Sequence, residues 1–539
     1  MSCFLGIDVG TGSARAGVFD ARGHLLGSGV SDITIYRDGA DFVEQSSDEI
    51  WDAVCKATRA ALKIATVEPQ NIKGIGFDAT CSLVVLDQDG AALPVGPSND
   101  PSRNIIVWMD HRAMAEAEEI NATGHKVLSY VGGTISPEMQ SPKLLWLKRN
   151  MPETFAKARH FFDLTDFLTW KATGSLARSS CTVTCKWTYV AGNGGWDKSF
   201  FQQVGLDAFA SEGFQRIGTE IADPGQALAT GLTGEAARAL GLVPGTAVGA
   251  GLIDAHAGGV GTVGADGLGP SVENMAYVFG TSSCTMTTTA EPVFVPGVWG
   301  PYFSAMLPGM WLNEGGQSAA GAAIDRLIGM HPAAGEAKER ATEAGFSVHD
   351  WLMSRALSLV DAPSDLVRLI HELHVVPEFL GNRAPHADPR TRAVIAGLDM
   401  DTSLDSLVRL YIAGLCGLGY GLRQIIEAQA SHGAPISNIV ISGGAGRQDA
   451  VRQLLADTTG VAIVAPETDE PVLLGAAMLG ASAAGHYANL SECMSVMSRV
   501  SGTCHPAGGS VSALHRRRYD IYERLQAVAR ASVAPTSDP

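Results

Sequence analysis

At 539 residues, 46% hydrophobic and 18% charged, the chain is too long for one core and too apolar for a disordered polymer; cores stop growing near roughly 250–300 residues, so two large domains are expected. A formal charge of −17 excludes a broad nucleic-acid or anionic-membrane surface, which needs clustered Lys and Arg. The nine cysteines are scattered and lack a C-x-x-C pair, which reads as reduced thiols in a cytoplasmic protein, and Cys181 with Cys185 lacks the second Cys/His pair of a zinc site.

No signal-like segment precedes the first apolar run, and no apolar stretch reaches bilayer-spanning length, so a soluble protein is expected. Strands are predicted over 4–9 and 14–19, joined by Gly10-Thr11-Gly12-Ser13 and continued by "HLLGSGV". A helix follows in "SSDEIWDAVCKATRAALKIA", with a Ser/Asp/Glu-rich start and Ile50, Val54, Ala57, Ala61 and Leu62 at helical spacing. "IKGIGFDATCSLVVLD" reads as strand, polar bend and strand, "PKLLWLKRN" as a helix, and "GTAVGAGLIDAHAGGVG" as a strand ending in an Asp and a Gly-rich bend.

The second half repeats this logic. "MAYVFGTSSCTMTTT" is again strand, Gly/hydroxyl turn and strand, and "NIVISGGAGRQDAVRQLLADTTG" runs from a strand through glycines into a helix from about Arg447, before the strand "VAIVAP". Two halves that open alike point to an internally duplicated α/β architecture. After "HPAGGS", a C-terminal helix carries the basic run His515-Arg516-Arg517-Arg518, read as a solvated face or a contact patch, and 533–539 reads as frayed.

The turns carry the chemistry. Gly10 and Gly12 let the backbone approach a ligand, and turn N–H groups with the Thr11 and Ser13 hydroxyls suit phosphate oxygens. Asp8, at the strand end, would then stand beside a magnesium ion brought by the phosphates; a hairpin turn with a satisfied Asp is the plainer alternative. Gly280-Thr281-Ser282 offers the same donors from the other half, so two hairpins could grip one polyphosphate across a cleft. A dinucleotide fingerprint would lead into a helix, whereas here a strand follows, and no Walker A loop is present. The pattern therefore points to actin-like ATPase domains. Gly443-Gly444-Ala445 could let adenine lie on the backbone with Gln448 at its edge, or could simply turn the chain into a helix. Asp254, after an apolar strand where the chain passes between the halves, suits removal of an alcohol proton during phosphoryl transfer, or capping of a helix from Ala255.

Together "GIDVGTGSARAGVFD", "KLLWLKRN", "GLIDAHAGG", "FGTSS", "NEGGQSAAG" and "ISGGAGRQDAVRQLLAD" resemble, in that order, the FGGY family of carbohydrate kinases over about residues 3–500. Gln140 departs from the family's small or Pro residue, while Lys143, Trp146 and Asn150 match. The resemblance implies an ATP- and Mg²⁺-dependent sugar kinase of two actin-like (ribonuclease H-like) domains, 1–265 for sugar and 266–505 for nucleotide, then a helix and tail over 506–539. It implies Asp254 as base and Asp8 near magnesium. Thr11, Ser13 and Arg15 would form the first phosphate loop and Gly280, Thr281 and Ser282 the second. "DATCS", "VWMDHRA", "CKWTY" and "NEGGQS" resemble the ribulokinase and pentulose-kinase branch. That likeness implies a sugar pocket of Ala79, Asp110, Lys186, Asp254 and Glu314, with D-ribulose as first expected substrate. L-ribulose, xylulose or a pentitol stand next, and a homodimer is the family-based expectation. Asp110 and Glu314 would otherwise be ion-pair partners, and Lys186 an exposed lysine. An actin- or chaperone-like ATPase without a sugar substrate is the reading from another class.

Overall fold

Seven consecutive buried residues form β1 (Cys3–Val9), and β2 (Ser13–Asp20) and β3 (Leu25–Asp32) follow it as an antiparallel meander. β4 (Ile72–Ala79) lies parallel to β1 on its other side, and the short β5 (Ala247–Val248) and β6 (Leu252–Ile253) run parallel to β4. A strand apolar on both sides needs cover on both faces. α1 (Ser47–Ala65) supplies one: its N-cap Ser46 accepts the Glu49 N–H, and Ile50, Val54, Ala57 and Ala61 are buried as their spacing predicts. The computed structural model describes residues 2–532 apart from 40 and 193; the Ala445 side chain and 533–539 also lie outside the described residues.

After the bend at 80–82 the chain leaves this sheet. Leu83–Leu86 joins a separate five-stranded sheet with Tyr36–Asp38, Phe42–Gln45, Ile105–Ile106 and His160–Asp163. α2 (Gln140–Asn150), α3 (Ser180–Lys186) and α4 (Asp254–Val260) are the remaining elements of the first lobe that bear on the cleft.

The second lobe is built on β7 (Asn274–Phe279), β8 (Ser283–Thr289), β9 (Trp299–Phe303), β10 (Trp311–Gln317), β11 (Asn438–Ser442), β12 (Ala462–Pro466) and β13 (Val500–Cys504). They form one seven-stranded sheet in the order β9-β10-β8-β7-β11-β12-β13. The run β7, β8, β10 with β11 parallel to β7 repeats the run β1, β2, β3 with β4 parallel to β1. The duplication is thus one of topology. Among its helices are α5 (Leu404–Ser431), α6 (Asp449–Thr459), α7 (Pro471–Ala483) and α8 (Gly509–Ser532). α6 begins later than expected, because Gly444–Arg447 first winds into a 3₁₀ turn. In α8 the basic run is only half solvated: His515 and Arg518 are buried, Arg518 donating to the carbonyls of His371 and Leu373, while Arg516 and Arg517 are exposed.

The lobes are joined by crossed helices. α7 comes from the second half of the chain yet packs on β1 and β4, and it crosses α4, which leans on β7. A Cβ on Gly475 would lie 1.9 Å from the Ala257 carbonyl oxygen, so only glycine allows this approach. The largest apolar cluster accordingly mixes Phe4 and Leu252 of the first lobe with Met286 of the second and Leu473 of α7. Among the described residues no helix is long and apolar enough to cross a membrane, and all nine cysteines are free thiols.

Candidate active site

The β1–β2 and β7–β8 turns reach one cavity of about 380 Å³ between the lobes. Gly10 lines it from the first turn, and Gly280, Thr281 and Ser282 from the second. Each turn is closed by its glycine, the second being one residue shorter: Gly10 N–H donates to the Ser13 carbonyl at 3.0 Å, and Gly280 N–H to the Ser282 carbonyl at 2.9 Å. Thr11 stands just behind the lining, its hydroxyl accepting the Trp108 indole N–H at 3.0 Å and its carbonyl the Gln45 amide at 2.7 Å. Gly12 is exposed and Ser13 half-buried on the same turn.

Asp8 faces the cavity from an otherwise apolar strand because Arg15 stands opposite it on β2. Arg15 Nε donates to Asp8 Oδ2 at 2.9 Å, and its Nη1 reaches Glu470 Oε2 at 2.7 Å. Across the other ladder Asp8 neighbours Asp78, which is fully buried with neither carboxyl oxygen hydrogen-bonded to a described residue. Burial, then the Asp8 charge, pushes the Asp78 pKa well above the ordinary carboxylate value. Asp254 is the first residue of α4, and its Oδ1 accepts the Ala255 N–H at 2.7 Å. Burial first and the Asp8 charge second raise its pKa to about 7. A carboxylate poised near neutrality can both hold and release a proton.

Lys186 ends α3 and lines the cavity, its ammonium 5.0 Å from the centre of the Trp299 ring. Burial works against its charge, but Cys81, Glu314 and other nearby acidic groups outweigh it and raise the pKa. Glu314 lies opposite on β10; burial opposes its charge too, yet Lys186 and His256 hold its pKa down at about 2. Arg383 approaches the Trp299 ring at 5.6 Å and the Cys284 sulfur at 3.6 Å. The cavity therefore presents ionised acids beside fixed cations, a setting for a polar, hydroxylated ligand next to an anionic one.

Several expected residues lie elsewhere. Ala79 is buried at the end of β4, one residue short of the lining residues Thr80 and Cys81. Asp110 is held away from the cavity by Arg112, which it meets at 2.7 Å and 2.8 Å, and by the Val43 N–H at 2.6 Å. Gly443, Gly444 and Gln448 are not among the residues lining the cavity; Gln448 donates to Asp350 on the surface. Gly443 still adjoins the second turn: its φ is 93°, and a Cβ there would lie 2.3 Å from the Phe279 carbonyl oxygen. Trp108, Glu138, Trp299 and Arg383 line the cavity without having been singled out from sequence. Trp108 belongs to the quoted "VWMDHRA" stretch, whereas Glu138, Trp299 and Arg383 sit in stretches with no motif of their own. The signature helix α2 explains one of them, because fully buried Lys143 donates to the Val107 carbonyl at 3.0 Å and so fixes the loop that presents Trp108. Gln140 serves the same wall, donating to the Cys81 carbonyl at 3.0 Å.

The fold and cleft define a duplicated two-lobed α/β protein in which a glycine turn from each lobe faces one cavity that holds both acidic and basic side chains. Residues 3–261 match the N-terminal domain, and residues 275–484 the C-terminal domain, of the FGGY family of carbohydrate kinases, and the chain belongs to that family. It is accordingly an ATP-dependent sugar kinase with two actin-like lobes. A human FGGY carbohydrate kinase domain-containing protein is 46% identical over 531 residues, 97% of this chain and 96% of the human one. The D-ribulokinase of Saccharomyces cerevisiae is 40% identical over 515 residues, 90% of this chain and 72% of the yeast one. A ligand-bound xylulose kinase structure from Lactobacillus acidophilus superposes with a TM-score of 0.80 at 20% identity over 99% of each chain, a likeness of fold.

Proposed function

We propose that the enzyme transfers the γ-phosphoryl group of ATP to the terminal 5-hydroxyl of a ketopentose, D-ribulose first. The observation that carries this reading is the meeting of both glycine turns with Asp254, Lys186 and Glu314 at one interlobe cavity. In this reading the turns at 10–13 and 280–282, with Arg15, receive the phosphates, and Gly443, Gly444, Ala445 and Gln448 border the adenine. Lys186 and Glu314 hold sugar hydroxyls, with Ala79 and Asp110 in the wall behind them. Asp254 accepts the proton as the sugar oxygen bonds to the γ-phosphorus and the bond to the bridging oxygen breaks, releasing ADP.

Magnesium suits the residues present. Asp8 brings a carboxylate to the cavity beside the phosphate turns, and hard cations take oxygen ligands. When bound, the cation offsets charge on the phosphoryl oxygens. Asp8 would stand next to it, and Arg15 would keep the carboxylate oriented. Closing the lobes would exclude water that otherwise hydrolyses ATP.

D-ribulose is favoured by likeness to the yeast D-ribulokinase over most of this chain. An ADP-release assay across D-ribulose, L-ribulose, D-xylulose and ribitol should give D-ribulose the highest kcat/KM, by roughly tenfold or more, since sites built around hydroxyls discriminate strongly against analogues that misplace them. A higher value for another sugar would replace the substrate. ATP turnover indifferent to every sugar would favour an ATPase without a sugar acceptor.

A further inference from the structure

Behind Glu314 stands a chain of buried groups that phosphoryl transfer does not use. Cys181 Sγ lies 3.0 Å from His256 Nδ1, and His256 Nε2 lies 3.4 Å from Glu314 Oε2. Cys181 is 0% and His256 1% exposed, so only Glu314, at 6%, opens to the cavity. The sulfur also accepts the Ile253 N–H at 3.4 Å. An imidazole placed between a sulfur and a carboxylate meets both best as an imidazolium: Nδ1 donates to the sulfur, and the ring's charge faces Glu314, whose Oε2 lies at ion-pair distance from Nε2 rather than in a formed hydrogen bond. The proton it gains is the one the thiol loses, so nothing external is needed.

The surroundings favour this transfer. Burial opposes the charge on each partner, yet the neighbouring Cys185 and His256 lower the Cys181 thiol, and Cys181 with Glu314 raises His256. The other titratable groups nearby are Cys185 and Lys186 of α3, Asp254 of α4, Tyr302 of β9, Arg383, Asp163 and Asp166. Cys185 is itself pushed up and stays a thiol. Ligand atoms of Cys181, Cys185 and His256 all lie within 4.8 Å of one another, which is also the donor set of a soft divalent cation. The short sulfur–nitrogen contact favours a shared proton over a shared metal.

We propose that Cys181 and His256 form a buried thiolate–imidazolium pair that pins Glu314 as a pure hydrogen-bond acceptor for the sugar, making both positioning residues. This rests on the sugar-kinase reading in which Glu314 meets a sugar hydroxyl. The test uses the full-length enzyme with Cys181→Ser and, should that variant fold poorly, His256→Gln. Thiolate ultraviolet absorbance at neutral pH should be present in the wild type and lost in either variant. The KM for the acceptor ketopentose should rise about tenfold, with kcat and the KM for ATP within about threefold, the signature of lost uniform binding to one substrate. Unchanged thiolate absorbance and sugar KM in both variants would overturn the proposal, and so would one tightly held zinc per purified wild-type chain. If the wild type phosphorylates no ketopentose, the substrate reading fails, and the absorbance difference still decides whether the pair exists.

Discussion

Replacing Asp254 with Asn should lower turnover by roughly 10²–10⁴-fold, the range for removing a general base, while ATP should still bind in a calorimetric titration. The side chains are nearly isosteric, so the loss isolates proton acceptance from packing. The pH profile carries the same assignment. Burial, reinforced by the Asp8 charge, sets the Asp254 pKa at about 7, and only the ionised form accepts a proton. Wild-type kcat/KM should therefore fall about tenfold per pH unit on the acid side of that value and level off above it. The residual activity of Asp254→Asn should lack this limb. A stability effect of opposite sign accompanies the loss. A carboxyl whose pKa is higher folded than unfolded takes stability from the protein as pH rises from the ordinary carboxylate value through about 7. Asp254→Asn removes that cost, so its Tm at pH 8 should exceed that of the wild type, as expected where a site trades stability for function. Unchanged turnover in the variant would take Asp254 out of the reaction.

How far the sequence reveals this site depends on what each residue must satisfy locally. Both hairpin turns are legible because glycine and hydroxyl residues between two apolar runs leave few alternatives, and they do reach one cavity. Asp8 is legible as a problem, a carboxylate in an apolar strand, and its solution, Arg15, lies at the paired register position. Asp110 misleads for an instructive reason. It is expected in the sugar pocket only through likeness to pentulose kinases, and the alternative, an ion-pair partner, is the role it takes with Arg112 in a buried pair. Arg383 and Glu138 give no warning, because their irregular segments approach the cleft only through long-range packing. The same holds for His256: the order "IDAHAGG" places it two residues beyond Asp254, but nothing in sequence spacing brings Cys181 to its ring. The basic run in α8 is divided by helical periodicity, which turns Arg518 inward to two backbone carbonyls.

The crossing of α4 and α7 yields the second large effect. In a helix, Gly→Ala by itself adds about 1 kcal/mol of stability, through backbone entropy. Gly475→Ala should do the reverse. Its Cβ would lie 1.9 Å from the Ala257 carbonyl oxygen, where approaches under 3.0 Å force something to shift, and the obstacle is backbone rather than a flexible side chain. Overpacking of this kind costs about 1–3 kcal/mol, so Tm should fall by several degrees. Gly329→Ala, also helical but with nothing within 4 Å of the added carbon, should leave Tm level or raise it. Turnover should suffer more than stability. Ala257 is one turn beyond Asp254 on the same short helix, and parting the helices moves the carboxylate relative to the glycine turn of the second lobe. A displacement near 1 Å between reacting groups costs about 10²-fold in rate, so Gly475→Ala should remain folded and lose about that factor in kcat. A variant with wild-type Tm and turnover would show that the crossed helices yield without moving Asp254, and that the joint between the lobes does not set the geometry of proton acceptance.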